Sequence, residues 1–238
     1  TGSDPRVEQD RAAQQATGLN SHVPTGETAP AECQDLMALD FKSQIFQAFA
    51  QIPSYSNWLL DADLTSTYLY ERRVLKLLQW RCPELPWRLK CPTHLIYLKH
   101  LDCAFPDARF VMTHREPSEV MLSVIEVYCD IAGRFTDRID MHYLAELNVQ
   151  HWSEGMQRAL AFRAAGDNNA RFYDIDFRAM HNDPVAEVCG LYQWLGEPVC
   201  EDFESGMAHW WQENSENRAP GARRDSAVYG IDLDQVRS

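Results

Sequence analysis

The segment FPDARFVMTHREPSEVMLS (105–123) decides the fold of this chain. Its opening FPDA is a turn that leads into RFVMT (109–113), a compact run rich in strand-forming residues. Pro117 then stands at the favoured first position of a helix that continues to about Ile131. We therefore predict a strand, a short loop and a helix in direct succession.

The same order recurs on both sides of this segment. WRLK (87–90) predicts a brief strand before a helix over 93–105. RFYDI (171–175) predicts another strand, followed by a helix over 183–196 that an Asp-Pro pair opens and a glycine closes. Strands that alternate with helices indicate a parallel sheet covered by helices, so the predicted fold class is α/β.

The first half of the chain indicates helices instead. Apolar residues near helical spacing predict a helix over 33–52, and a second amphipathic helix over 64–80 places Tyr68, Leu75 and Leu78 on one side. The first thirty residues are polar and without period, which is typical of a loop or linker. A long helix is expected over roughly 140–165.

Composition limits the classes of protein. With 238 residues, 45% of them hydrophobic, the chain is expected to form one large globular domain or two small ones, with a real core. The formal charge of −13 argues against a nucleic-acid-binding face. No apolar run is long enough to span a bilayer. The seven cysteines form no C-x-x-C pair, and the histidines form no H-E-x-x-H, so we expect reduced thiols, a cytoplasmic location and no metal.

The charge is unevenly distributed along the chain. Residues 1–70 carry three basic and nine acidic side chains, residues 71–115 nine and four, and residues 116–238 ten and twenty-two. The cationic middle could focus the field on a small anion within an acidic protein. The alternative is that Arg72, Arg73, Lys76 and Arg81 only form the solvated face of a helix.

Two loops follow predicted strands and carry candidate ligand-binding residues. In parallel sheets, ligands bind beyond the carboxyl ends of the strands, near helix N-termini. Those positions correspond here to KCPTH (90–94) and THREP (113–117). Arg115 on the second loop and Ser123, about 9 Å along the following helix, could hold one phosphate from two sides. The alternative for Arg115 is a pair with a nearby carboxylate.

These motifs resemble those of sulfotransferases that use 3′-phosphoadenosine 5′-phosphosulfate (PAPS), in particular the bacterial type. Residues 105–123 are similar to the family's 3′-phosphate-binding strand, loop and helix, and WRLKCPTHL (87–95) is similar to its Leu-Lys-Ser-Pro-x-His-Leu segment. Residues 171–198 resemble its Tyr-x-Asp-Leu strand and Leu-Gly-x-Pro end. Residues 41–80 resemble its helical substrate-side region, which we place at 33–82.

The resemblance implies a P-loop-like central parallel sheet flanked by helices. It also implies sulfuryl transfer from PAPS to a hydroxyl, with 3′,5′-adenosine bisphosphate as the product and no metal. Lys90 takes the family's cationic role, and His94 is the available base, with an ordinary pKa near 6.5 that suits neutral pH. The alternative for His94 is an imidazole that only caps or packs.

The remaining donor-binding residues follow from the same resemblance. Arg115 and Ser123 would bind the 3′-phosphate, and Tyr173 would contact the adenine, although a core tyrosine is the alternative. Arg223 lies in NRAPGARRDSAVYG (217–230), which resembles a degraded form of the basic loop over the 3′-phosphate. The family's 5′-phosphosulfate loop, Arg-Ser/Thr-Gly-Thr/Ser-Thr-Leu, does not occur in the sequence. The sequence also stops at GIDLDQVRS (230–238), where a further helix would be expected. We therefore expect a single sulfotransferase-like domain over 1–238 that is incomplete at both ends.

Three functions compete at this point. The first is a sulfotransferase, and the second is a catalytically impaired binding protein of the same fold. The third, a P-loop kinase or hydrolase, lacks its G-x-x-x-x-G-K-[ST] motif. Aromatic residues in 41–80 favour a small apolar or aromatic hydroxyl acceptor, with ordinary helix packing as the alternative: Phe46, Trp58, Tyr68 and Tyr70. The sequence leaves homo-oligomerisation open.

Overall fold

The structure, a computed structural model, describes Pro5, residues 30–215 and residues 226–237. Short 3-10 helices lie at Pro92–Ile96, Asn168–Arg171 and Ser226–Tyr229. In this part of the chain, no helix is long and apolar enough to cross a membrane. The helices and strands are, in order, α1 (Cys33–Ala38), α2 (Ile45–Phe49), α3 (Pro53–Asp61), α4 (Thr65–Leu78), α5 (Leu98–Ala104), β1 (Phe110–His114), α6 (Pro117–Ala132), α7 (Met141–Ala164), β2 (Phe172–Asp176), α8 (Phe177–Asn182), α9 (Pro184–Leu195), α10 (Glu201–Ser215) and α11 (Leu233–Arg237).

Strands β1 and β2 form a two-stranded parallel sheet, which confirms the two strands predicted at 109–113 and 171–175 to within a residue. Phe110 lies opposite Phe172, and His114 lies opposite Asp176. Because the strands are parallel, their carboxyl ends meet at the same edge of the sheet. That edge positions the loop before α6.

The strand predicted at 87–90 is wrong. Residues 81–90 are exposed and carry no helix or strand. A strand needs a hydrogen-bonded neighbour, and among the described residues the sheet contains only β1 and β2. The helix predicted over 93–105 is present but divided, because a 3-10 helix ends at Ile96 and α5 begins at Leu98.

The predicted helices after both strands are confirmed. Pro117 opens α6, as its fixed φ allows. Asp183 caps α9 by accepting a hydrogen bond from the backbone N–H of Ala186, and Gly196 ends it in the left-handed conformation at φ 75°. The long helix predicted near 140–165 is α7.

The single helix predicted over 33–52 is wrong. It is divided into α1 and α2, and Phe41 between them adopts a φ of 56°, a left-handed conformation that a helix cannot continue through. Pro53 begins α3 rather than only ending what precedes it.

The second predicted helix is α4, and its buried face is nearly as expected. Tyr68 and Leu75 are buried, but Leu78 is 55% exposed and does not share that face. Glu71 is buried between them. The charged residues on the other side of α4 are exposed, as expected for a solvated face: Arg72, Arg73 and Lys76.

Packed helices supply most of the core. One cluster joins α1, α3, α4 and α5 through residues that include Leu59, Leu64 and Tyr68. A second joins α6 to α7 around Ile125 and Leu144. Full burial of a side chain of this size contributes about 1.5–3 kcal/mol. These clusters fix the walls of the site described next.

Candidate functional site

A large cavity extends from the exposed segment before the 3-10 helix at 92–96 to the carboxyl end of β1. Its volume is about 2010 Å³, and its walls include β1 and parts of α4, α6 and α7. Lys90, His94 and Arg115 all line it. The two loops singled out in the sequence therefore face one space.

Lys90 lies on the wall of the cavity and is paired with a carboxylate. Its side chain is 68% exposed, and its Nζ donates to Oε1 of Glu32. Its backbone carbonyl accepts a hydrogen bond of 3.1 Å from the N–H of Cys33, which joins this segment to the start of α1. An anionic ligand would have to replace Glu32 as the partner of this ammonium group.

His94 is held by a tyrosine and is strongly desolvated. Its Nδ1 lies 3.0 Å from the hydroxyl oxygen of Tyr68. Burial lowers the pKa of His94 to about 4, so the pKa near 6.5 expected from the sequence does not apply. The imidazole is therefore neutral at pH 7 and has one nitrogen with a lone pair to accept a proton.

Two further side chains surround His94, and the sequence analysis missed both. The Sγ of Cys33, a carboxylate oxygen of Glu71 and a ring nitrogen of His94 all lie within 4.8 Å of one another. Burial raises the pKa of Glu71 and, together with the Glu71 carboxylate, that of Cys33. The sequence could have indicated that Glu71 is buried, because it falls on the same helix face as Tyr68 and Leu75.

Arg115 stands on the loop before α6 with carboxylates beside it. Its Nε donates to Glu119 at 2.9 Å, and its guanidinium carbon lies 4.7 Å from the ring centroid of Phe177. Glu116 caps α6 by accepting from the N–H of Glu119 at 3.0 Å and from the hydroxyl of Ser118. Arg115 therefore has the carboxylate partner that was the alternative at the sequence level. Because Glu119 is bound through Nε, the two terminal amino groups of Arg115 form the fork that could bind a phosphate.

The structure locates two of the three other predicted ligand-binding residues. The described cavity lining includes neither Ser123, which is half-buried on α6, nor Tyr173 on β2. The Tyr173 ring packs 5.5 Å from that of Trp194, and a Cβ on Gly190 would stand 2.7 Å from its hydroxyl oxygen. Tyr173 therefore contacts α9. Arg223 lies outside the described residues.

An ionic network at the carboxyl end of the sheet was also missed. Arg163 on α7 donates to both carboxylate oxygens of Asp174, at 2.7 and 2.8 Å, and Nε2 of His114 lies 2.6 Å from Oδ1. The hydrogen bond from Arg163 holds the pKa of Asp174 well below its usual range. This network fixes the end of β1 next to Arg115.

Comparison with known proteins gives two kinds of match. The model of the sulfotransferase family matches residues 2–202. The crystal structure of sulfotransferase STF1 from Mycobacterium tuberculosis matches with a TM-score of 0.80 at 26% identity, over 97% of this chain and 60% of that one. Sulfotransferase STF9 from Mycobacterium avium matches with a TM-score of 0.80 at 25% identity, over 99% and 62%. No curated protein matches the chain. The chain thus spans about 60% of the length of these solved relatives.

Proposed function

Because the chain belongs to the sulfotransferase family and has its α/β fold, we propose that it transfers a sulfuryl group from PAPS to a hydroxyl of a small apolar or aromatic acceptor. The observation that carries the proposal is the meeting of Lys90, His94 and Arg115 at one cavity. Those residues supply cationic donors and a neutral base, which are the groups that the transfer requires.

Arg115 is proposed to bind the 3′-phosphate of the donor. A guanidinium fork matches two phosphate oxygens, and a phosphate carries more negative charge than the single carboxylate that Arg115 now holds. The ring of Phe177 limits the orientations of the guanidinium. Ser123, Tyr173 and Arg223 remain proposed contacts of the same nucleotide.

His94 is proposed as the base. Its neutral imidazole would take the proton of the acceptor hydroxyl as that oxygen forms a bond to sulfur. The bond from sulfur to the bridging phosphate oxygen breaks, and 3′,5′-adenosine bisphosphate leaves. Lys90, released from Glu32, would stabilise the charge on the leaving oxygen. If Nδ1 donates to Tyr68, the other nitrogen holds the lone pair that faces the acceptor.

An apolar acceptor is favoured by the walls near His94. Leu95, which follows His94 directly, Leu98 and Met112 are among the apolar residues that line the cavity. Of the four aromatic residues expected to line an acceptor site, Tyr68 lines the cavity, whereas Phe46, Trp58 and Tyr70 are absent from its described lining. Phe46 packs instead against the rings of Phe41, Phe49 and Tyr55. The helical region around 33–82 thus contributes to the proposed acceptor site chiefly through α4.

Direct binding of 3′,5′-adenosine bisphosphate to the purified protein tests the nucleotide site. We expect Arg115→Ala to weaken binding at least tenfold, since a charge-assisted contact to a doubly charged phosphate is lost. Arg73→Ala is the matched control, because Arg73 is exposed on α4 and should leave the affinity unchanged. Equal affinity of the two variants would remove Arg115 from the site.

Turnover tests the base separately. His94→Ala should abolish sulfuryl transfer from PAPS while nucleotide affinity stays within twofold of the parent protein. A fully active His94→Ala variant would exclude the base role. Nucleotide binding by a parent protein that transfers no sulfuryl group to phenolic or aliphatic hydroxyls would instead support the catalytically impaired binding protein.

A further inference from the structure

The cluster of Cys33, Glu71 and His94 has the composition and spacing of a metal site. The three side chains come from the first turn of α1, the middle of α4 and the 3-10 helix at 92–96. One donor atom from each lies within 4.8 Å of the other two. Three separate elements of the fold therefore converge on one point.

The Glu71 carboxylate is buried without the hydrogen bonds that such a group needs. The residue is 1% exposed, and no residue in the described part of the chain forms a hydrogen bond with either carboxylate oxygen. The neighbouring Cys33 thiol opposes the effect of burial on the pKa of Glu71, but their contact falls short of hydrogen-bond geometry. A buried carboxylate without a partner costs free energy, which a cation beside it would offset.

We propose that Cys33, Glu71 and His94 bind a zinc ion. A thiolate, an imidazole nitrogen and a carboxylate oxygen form a ligand set that zinc accepts, whereas magnesium and calcium require oxygen ligands. Tetrahedral zinc, with ligands at about 2.0–2.3 Å, keeps its donor atoms roughly 3.3–3.8 Å apart. Side-chain shifts of about 1 Å bring this cluster to that geometry, and the thiol of Cys33 loses its proton on binding.

The surroundings supply the remaining requirements of a zinc site. Glu71 and His94 are among the residues that line the large cavity, so an ion, and a water molecule as its fourth ligand, would approach the cluster from there. The Tyr68 hydroxyl holds Nδ1 of His94, and such a second-shell bond fixes the orientation of a ligating ring. Neutral imidazole has a single lone pair, so zinc on His94 excludes proton transfer to it. Zinc would therefore inhibit the proposed reaction reversibly.

Metal titration of the purified protein tests the site without relying on activity. Exposed thiols would add a nonspecific background to a zinc titration, so the three exposed cysteines are first replaced by serine: Cys82, Cys103 and Cys200. In that background, competition with a chromogenic chelator should show one zinc ion per chain. Cobalt substitution should give the charge-transfer band of a thiolate ligand.

Single substitutions locate the ligands. Cys33→Ser should abolish the cobalt thiolate band, and Glu71→Gln, which keeps the shape of the side chain, should weaken zinc binding at least tenfold. Cys189→Ser on α9 is the control and should retain both the cobalt thiolate band and the affinity for zinc. Circular dichroism verifies that each variant is folded. Absence of stoichiometric binding, or a thiolate band that survives Cys33→Ser, would overturn the proposal, and neither result bears on nucleotide binding.

Discussion

Protonation of His94 should control how stability depends on pH. The pKa of this histidine is about 4 in the folded protein and about 6.5 in an unfolded chain. As pH falls below 6.5, the unfolded chain takes up a proton that the folded protein does not accept until pH 4. The stability associated with His94 is thus present above pH 6.5 and lost as the pH falls towards 4.

The two pKa values set the size of the effect. Proton linkage predicts that His94 lowers the free energy of unfolding by about 2 kcal/mol between pH 7 and pH 5. His151, whose pKa burial also lowers to about 4, acts in the same direction. Removing the imidazole of His94 should therefore halve the contribution of these two histidines rather than remove it.

Urea unfolding of His94→Gln at pH 7 and at pH 5 measures this contribution. We expect the substitution to lower the free energy of unfolding at both pH values. The decrease in that free energy from pH 7 to pH 5 should, however, be smaller than in the parent protein by about 2 kcal/mol. His209→Gln, on the exposed surface of α10, is the control for exchanging an imidazole for an amide outside the site. An unchanged difference in His94→Gln would show that the imidazole titrates in the folded protein as it does in water.

Two further predictions concern the ion pair of Arg115 and the proposed base. Glu119→Gln should tighten binding of 3′,5′-adenosine bisphosphate two- to fivefold in calorimetric titration, because a partly exposed ion pair of up to about 1 kcal/mol no longer competes for Arg115. Glu154→Gln breaks a similarly spaced pair on α7 and should have no effect, and tighter binding there would refute the explanation. As the pH is lowered, kcat/KM should fall with a midpoint near pH 4, where His94 becomes protonated. A midpoint near pH 6.5 would contradict the desolvation of His94.

The segment around β1 could be predicted from the sequence because its signals are local. Pro117 fixes the start of α6, and the predicted strand RFVMT differs from β1 by one residue at each end. The Asp-Pro pair at 183–184 is equally local, since the capping hydrogen bond spans only three residues. Signals of this kind need no knowledge of what lies elsewhere in the fold.

The strand at 87–90 and the surroundings of His94 could not be predicted for the opposite reason. A strand depends on a partner that its own sequence does not specify, and residues 87–90 have none among the described residues. Glu71 and Cys33 meet His94 only after α1, α4 and the 3-10 helix at 92–96 pack together. The pKa of His94 follows from that burial, so an expectation based on an isolated histidine had to be wrong.

An anionic ligand of this cavity has to displace the carboxylates that are already paired with its cationic residues. The cationic stretch 71–115 looked like a free positive field, but Lys90 holds Glu32 and Arg115 holds Glu119. An anionic ligand therefore exchanges partners rather than filling an empty site, and its affinity depends on the difference between two ion pairs. The phosphate proposed as the ligand of Arg115 would win this exchange because it carries up to two charges and offers a fork of oxygens to the guanidinium. A singly charged carboxylate ligand gains neither advantage, so the exchange itself would favour phosphate.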